Sequence, residues 1–198
     1  GMPDALHATC RLDPHEAGVS LTSLLPGWLL GELRSDHAGE TGAVWIYRWI
    51  LAVSRVPEVQ HFAQHHLATE RHHLREIEVL LTPAHRSRLI VFWRIAGFIT
   101  GALPAFCGPR AVFHTIEAVE TFVDQHYQQQ INRLQPLDEP SRELATVRAV
   151  LVECQADEVA HRDEAAQNAA APPGPLARLW CAAVAYGSGA AVALARKI

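Results

Sequence analysis

Two short stretches carry the residues best suited to chemistry, Glu70-Arg71-His72-His73 and Glu158-Val159-Ala160-His161. Each holds a glutamate and a histidine three positions apart. On a helix, residues i and i+3 share a face, so the carboxylate and the imidazole can reach one point. One such pair is ordinarily a solvated surface pair. Here both fall on apolar stripes, the first with Val59, Phe62, Ile77 and Leu80, the second with Val147, Leu151, Cys154 and Ala165. Two more stripes of the same period carry one glutamate each, Glu40 among Leu33, Val44, Tyr47 and Leu51, and Glu120 among Ile116, Val123 and Ile131.

An unpaired carboxylate on such a stripe costs several kcal/mol or takes up a proton. Two divalent cations remove that cost, because four carboxylates balance four positive charges. The predicted metal ligands are Glu40, Glu70, His73, Glu120, Glu158 and His161. One lone glutamate from each of two helices and a Glu-x-x-His from each of two others is the ligand pattern of di-iron and di-manganese carboxylate bundles. Carboxylates with one imidazole per metal suit two iron ions, with manganese as the other admissible metal, better than copper or zinc.

Helical spacing also nominates supporting residues. Asp36 lies one turn before Glu40 and Asp124 one turn after Glu120, and either is placed to fix the ring of a ligand histidine. Tyr127 lies two turns beyond Glu120 on the same face, placed to pass a proton or an electron. Glu117 competes with Glu120 but fits the stripe less well and is expected to be solvated or to back the site. Glu76, Glu78, Glu153 and Glu164 are expected at the surface, His66 and Cys154 in the core, and His126 on another face. The five tryptophans are expected to pack or to lie at an interface.

Six helical segments must position these groups. The first runs from about Pro26 to Arg55; the second starts at Pro57, which suits a first helical position, and ends before Pro83. The third, Leu89 to Cys107, is apolar on nearly every side and lies where a crossover between two antiparallel pairs is needed. The fourth follows Gly108-Pro109 and runs to Leu134; Pro136 to Pro140 form a turn, and Ser141 caps the fifth. After the linker Ala171 to Pro175, the sixth, Leu176 to Ile198, is Ala-rich and apolar. No segment alternates as a strand does, so the predicted class is all-α: a four-helix bundle with an apolar crossover helix and an extra C-terminal apolar helix. Residues 1–20 are expected to form a loose arm and 21–198 a single domain. The two halves echo each other, each a lone-Glu helix followed by a Glu-x-x-His helix, as in an internal duplication.

At 198 residues with 49% apolar side chains the chain is globular. A net charge of −4 gives no electrostatic reason to expect nucleic acid. Four scattered cysteines with no CxxC suggest neither a disulfide framework nor a zinc site, and no N-terminal charged-then-apolar signal is seen, so a reducing, cytoplasm-facing compartment is expected.

The segment Glu32 to Ala43, containing Asp36-His37-Ala38-Gly39-Glu40, followed by Ile46-Tyr47, resembles the opening of the demethoxyubiquinone hydroxylases, the Coq7 family. The resemblance continues through Glu70-x-x-His73-Leu74, Trp93 to Gly101, Val119-Glu120, His126-Tyr127, Gln130-Ile131 and Asp157-Glu158-x-x-His161, in order. It departs at Arg48-Trp49-Ile50, after Gln135 and after Ala165, none of them a predicted ligand. The resemblance implies a ferritin-like di-iron fold and hydroxylation of the ring of a demethoxylated ubiquinone precursor. It implies O2 as co-substrate, an external reductant for which NADH is the candidate, and an isoprenoid quinone as the partner. A location at a membrane surface follows, peripheral on the cytoplasmic face of the inner membrane for a bacterial chain. The apolar third and sixth segments suit such a surface, or a homodimer or larger oligomer. The rival readings are a ferritin- or rubrerythrin-like protein that oxidises or stores iron or removes peroxide, and a non-enzymatic lipid- or quinone-binding bundle.

Overall fold

The computed structural model describes residues 20–135 and 141–198. The expected N-terminal arm, but for Ser20, and the expected turn over 136–140 lie outside the described residues. Six α-helices and two short 3-10 turns are present, with no strand among the described residues. The helices are α1 (Gly27–Val53), α2 (Pro57–Leu80), α3 (Ile90–Cys107), α4 (Pro109–Leu134), α5 (Arg142–Ala169) and α6 (Pro175–Ala195).

Local signals set the boundaries. Pro57, Pro109 and Pro175 each occupy the first turn of a helix, where a missing N–H costs nothing. Ser141 caps α5 by accepting from the Leu144 N–H. Gly108 joins α3 to α4 at φ 109°, a conformation that side chains with a Cβ rarely adopt.

Helices α1, α2, α4 and α5 form the bundle, with apolar residues in two layers. One holds Val44, Ile50, Val59, Phe62, Phe113 and Ile116; the other holds Leu29, Leu33, Ile77, Leu80, Ile131 and Leu151. Each layer joins the C-terminal half of α1 or α5 to the N-terminal half of α2 or α4, or the reverse, so neighbouring helices are antiparallel. Helices α2 and α4 therefore run the same way, and α3 is the crossover that returns the chain along the outside of the bundle.

Helix α3 approaches α1 as closely as two backbones can. A Cβ on Gly97 would lie 2.4 Å from the Gly42 carbonyl oxygen, and one on Gly101 would lie 2.2 Å from that of Ile46. The buried residues of α3 are Trp93, Gly97, Gly101, Ala102 and Pro104, while Phe92, Ile95, Ile99 and Phe106 are exposed. Helix α6 packs on α4 and α1 through small residues. Its end is pinned where the Arg34 guanidinium donates to the Arg196 carbonyl at 3.0 Å and Ser87 Oγ donates to the Ile198 carbonyl at 2.7 Å. Both α3 and α6 are long and apolar enough to cross a membrane by length and composition.

Gly101→Val should push α3 off α1 and destabilise the fold by about 1–3 kcal/mol, the usual cost of overpacking. Denaturant unfolding of the metal-free protein measures this, and Gly27→Ala, with open space around its Cβ, serves as the control.

Candidate metal centre

The polar layer of the bundle lies between its two apolar layers. Glu40 on α1, Glu70 and His73 on α2, Glu120 on α4, and Glu158 and His161 on α5 are all buried, at 0–3% exposure. They converge into two groups, Glu40 with Glu70, His73 and Glu158, and Glu120 with Glu70, Glu158 and His161. Within each group the donor atoms lie within 4.8 Å of one another, so each group could hold a metal ion. Glu70 and Glu158 belong to both, and Glu40 and Glu120 to one each. Both histidines turn Nδ1 inward: that of His73 lies 3.0 Å from Glu158 and 3.8 Å from Glu40, and that of His161 lies 3.1 Å from Glu70 and 3.4 Å from Glu158.

A pseudo-two-fold relates the halves, as the repeated order of motifs predicts. Tyr127 of α4 donates its hydroxyl to Glu40 Oε1 of α1, and Tyr47 of α1 donates to Glu120 Oε1 of α4 at 3.1 Å. Helical spacing puts Tyr47 on an inward stripe but by itself assigns it no role. The signal was available, since Tyr47 lies seven residues after Glu40 as Tyr127 lies seven after Glu120.

Burial pushes all four carboxyls up, away from the charged form. Glu40 and Glu120 stay well above the usual carboxyl range, because neighbouring carboxylates, chiefly Glu70 and Glu158 respectively, add to the effect. For Glu70, burial and the Glu158 charge are outweighed by the nearby His161 and His73 imidazoles, whose Nδ1 atoms lie 3.1 and 3.7 Å from its oxygens, and the net direction is down. Glu158 is also lowered, its burial outweighed by the neighbouring Glu120 carboxyl, the His161 imidazole at 3.4 Å and the hydrogen bond with His73. Burial opposes the imidazolium form of His161, but Glu158 and Glu70 raise it to about 10, and His73 is raised by Glu158, Glu40 and Glu70. In the absence of cations, the cluster is thus held together by protons. Even so, both oxygens of Glu70, Oε2 of Glu40 and of Glu158, and Nδ1 of His161 are buried and make no hydrogen bond. Hard oxygen donors and imidazole nitrogens left in this state fit a pair of divalent cations.

The supporting residues differ from expectation. Neither Asp36 nor Asp124 meets a ligand histidine. Asp36 accepts from Gln130 Nε2 at 2.6 Å and lies 3.1 Å from His126 Nε2. Asp124 pairs with Arg162 at 2.8 Å and accepts from Gln155 at 2.9 Å, tying α4 to α5 on the outside of the site. A step of four residues turns a side chain by about 40° around the helix, whereas a step of seven turns it by about 20° the other way. Tyr127 therefore stays over the site and the two aspartates leave it. The carboxylate that does meet a ligand histidine is Asp157, whose Oδ2 lies 2.9 Å from His73 Nε2. In the sequence Asp157 stands out only as the neighbour of Glu158.

His66 is a buried histidine with a partner: its Nε2 lies 2.9 Å from Glu164, its ring centroid lies 3.9 Å from that of His161, and burial lowers its pKa to about 3. Glu164 and Glu78, expected at the surface, are half-buried because they partner His66 and His37. Cys154 is buried, with its thiol pushed up by burial, and stands outside both donor groups. Glu117 pairs loosely with His114 at 3.9 Å and leaves the centre to Glu120.

Beside the centre an apolar cleft of about 610 Å³ opens between α1, α3, α4 and α6. Gly39 and Gly42 on α1, Trp93 and Gly97 on α3, and Val119 and Val123 on α4 line its inner wall. Gly39 adjoins Glu40 and Val119 adjoins Glu120 in the chain, so the cleft lies against the two helices that carry the unshared carboxylates.

The chain resembles known proteins over the same elements. Residues 28–195, from the first turn of α1 to the end of α6, match the family model described as "Ubiquinone biosynthesis protein COQ7". A 3-demethoxyubiquinol 3-hydroxylase of Rhodospirillum rubrum is 35% identical over 149 residues, 73% of this chain and 68% of the relative. A mitochondrial NADPH-dependent 3-demethoxyubiquinone 3-hydroxylase of Rattus norvegicus is 30% identical over 152 residues, 75% of this chain and 69% of the relative. A mitochondrial 5-demethoxyubiquinone hydroxylase of Saccharomyces cerevisiae is 28% identical over 149 residues, 69% of this chain and 64% of the relative. The match takes in all six helices and every residue of the two donor groups, and the chain belongs to the COQ7 family of ubiquinone biosynthesis proteins.

Proposed function

We propose that this protein is a di-iron monooxygenase that hydroxylates the ring of a demethoxyubiquinone-type precursor in ubiquinone biosynthesis. The observation that carries the reading is the pair of donor groups sharing Glu70 and Glu158 beside an apolar cleft, in a chain of this family. Glu40, Glu70 and His73 with Glu158 hold one iron, and Glu120 and His161 with the same two shared carboxylates hold the other. When bound, the two irons supply the activation of O2 for transfer of one oxygen atom to the ring. Manganese fits the same donors. The reductant is a nicotinamide nucleotide, NADH in the sequence reading and NADPH in the name of the rat relative.

The chain's own residues do the remainder. The cleft takes the quinone ring against Gly39 and Val119 and the isoprenoid tail along α3 and α6, excluding water by its apolar walls. Tyr127 and Tyr47 orient the two unshared carboxylates and hold a proton at each phenol oxygen. Asp36, one turn from Glu40, accepts from Gln130 and lies beside His126, next to the cleft residue Ser35. Asp124 keeps only a structural part, on Arg162. A cleft of this size and polarity favours a quinone hydroxylase over an iron store or peroxidase.

Exposed Phe92, Ile95, Ile99 and Phe106 on α3 and Leu176, Leu179 and Tyr186 on α6 support a peripheral seat on a membrane. For a bacterial chain this is the cytoplasmic face of the inner membrane. Self-association through the same faces is the competing way to cover them.

Expression in a bacterial strain blocked at ring hydroxylation should restore ubiquinone, read as loss of the accumulated precursor. Glu70→Ala and Glu158→Ala should each abolish both metal binding and complementation; either variant retaining full iron and full activity overturns the ligand assignment. In flotation assays the protein should rise with vesicles as a monomer, whereas a vesicle-indifferent dimer would assign α3 and α6 to self-association. Protons and cations compete for the same oxygens and nitrogens: Glu40 and Glu120 are raised, and so are His73 and His161, so each must lose a proton to bind metal. Mn(II) affinity should therefore rise with pH, with proton release on binding, measured by calorimetry in buffers of different ionisation enthalpy.

A further inference from the structure

We propose that the two metal positions are unequal and that the position of Glu40 and His73 fills first, because Asp157 anchors the far nitrogen of His73 while, among the described residues, no carboxylate anchors that of His161. The inference rests on the two-metal reading above and concerns the order within it.

Features that obey the pseudo-two-fold cannot separate the positions. Each has one unshared carboxylate, one imidazole Nδ1 and one tyrosine from the opposite half, Tyr127 on Glu40 and Tyr47 on Glu120. The departures from the symmetry are specific. Asp157 precedes Glu158, and the corresponding residue before Glu70 is the uncharged Thr69. Four residues before Glu158 stands Cys154, and four before Glu70 stands His66.

These departures change what backs each ligand ring. The far nitrogen of His73, Nε2, lies 2.9 Å from Asp157 Oδ2. Among the described residues, His161 meets carboxylates only through its inward Nδ1, at 3.1 Å from Glu70 and 3.4 Å from Glu158. Its ring packs instead on His66, whose own Nε2 is turned to Glu164 at 2.9 Å.

A carboxylate on the far nitrogen of a ligating imidazole fixes its tautomer and orientation and makes the near nitrogen a better donor, and losing it costs about 10–100-fold in metal affinity. The His73 position has this support and the His161 position lacks it. Because Glu70 and Glu158 serve both positions, the first cation takes the full charge of the shared pair and the second meets a partly neutralised set. The anchored position therefore gains twice, and filling becomes sequential.

The test is a titration of metal-free protein with Mn(II), with free Mn(II) followed by electron paramagnetic resonance, which yields two stepwise dissociation constants. Asp157→Asn is at a half-exposed side chain, 44% accessible, and an unfolding curve of the metal-free variant checks that the fold is kept. Asp157→Asn should weaken the first step by about 10–100-fold. Tyr47→Phe, which frees Glu120, should weaken only the second. In a centre with equal positions, Asp157→Asn would weaken only the second step, because the untouched position would fill first; that pattern, or no change in either step, overturns the proposal. A wild-type chain that binds fewer than two Mn(II) at saturation overturns the two-metal reading and the order with it, whereas two bound Mn(II) with Asp157→Asn unchanged overturns the order alone.

Discussion

Four carboxyl groups lie in the middle of this bundle, between two layers of leucine, isoleucine, valine and phenylalanine, at 0–3% exposure. Nothing in an apolar interior tolerates that arrangement unless positive charge or protons neutralise it. Much of the surrounding structure meets this demand. Two imidazoles turn Nδ1 into the cluster, two phenols donate to the unshared carboxyls, and protons on Glu40 and Glu120 relieve the remaining repulsion. The buried oxygens of Glu70, which make no hydrogen bond, mark where this neutralisation is incomplete. A polar layer of this kind weakens the fold unless it is put to use, and a pair of bound cations is the use that the donor set fits.

The apolar crossover helix connects the centre to its surroundings. Helix α3 lies close against α1 through Gly97 and Gly101, and a cleft opens between α1, α3, α4 and α6. The inner wall of that cleft touches the neighbours of Glu40 and Glu120. The outer faces of α3 and α6 expose Phe92, Ile95, Leu176 and Tyr186. An apolar cleft thus lies between these exposed faces and the helices that carry Glu40 and Glu120, which suits a water-insoluble ring with a long tail. In the proposed function, membrane contact and ring hydroxylation are served by the same two helices.

The internal repeat explains both the symmetry of the centre and its limits. Glutamates, histidines and tyrosines recur in the same order in the two halves because each is needed to balance the same charge twice. At Asp157 against Thr69, and at Cys154 against His66, positions next to the ligands in the chain, the halves have diverged. Divergence at such positions changes how tightly each half holds its ligand while leaving the shared carboxylates in place.

Helix periodicity alone identified the bundle, its six helices and the six inward donors, because burial of an acidic residue on a 3.6-residue stripe is a strong and local signal. The boundaries at Pro57, Pro109 and Ser141 were legible for the same reason, since capping and N-terminal proline act within one turn. Ordered motifs across the first five helices marked the family. What only the tertiary structure decided is which groups meet across helices. Asp36 and Asp124 share their helices with Glu40 and Glu120, yet a rotation of about 40° takes them to His126 and Arg162. Asp157, on α5, reaches His73 on α2, and Tyr47 on α1 reaches Glu120 on α4. Spacing along one helix specifies the face a side chain occupies, but its partner depends on the rotation and height of the neighbouring helix, and these are set by packing over the whole bundle.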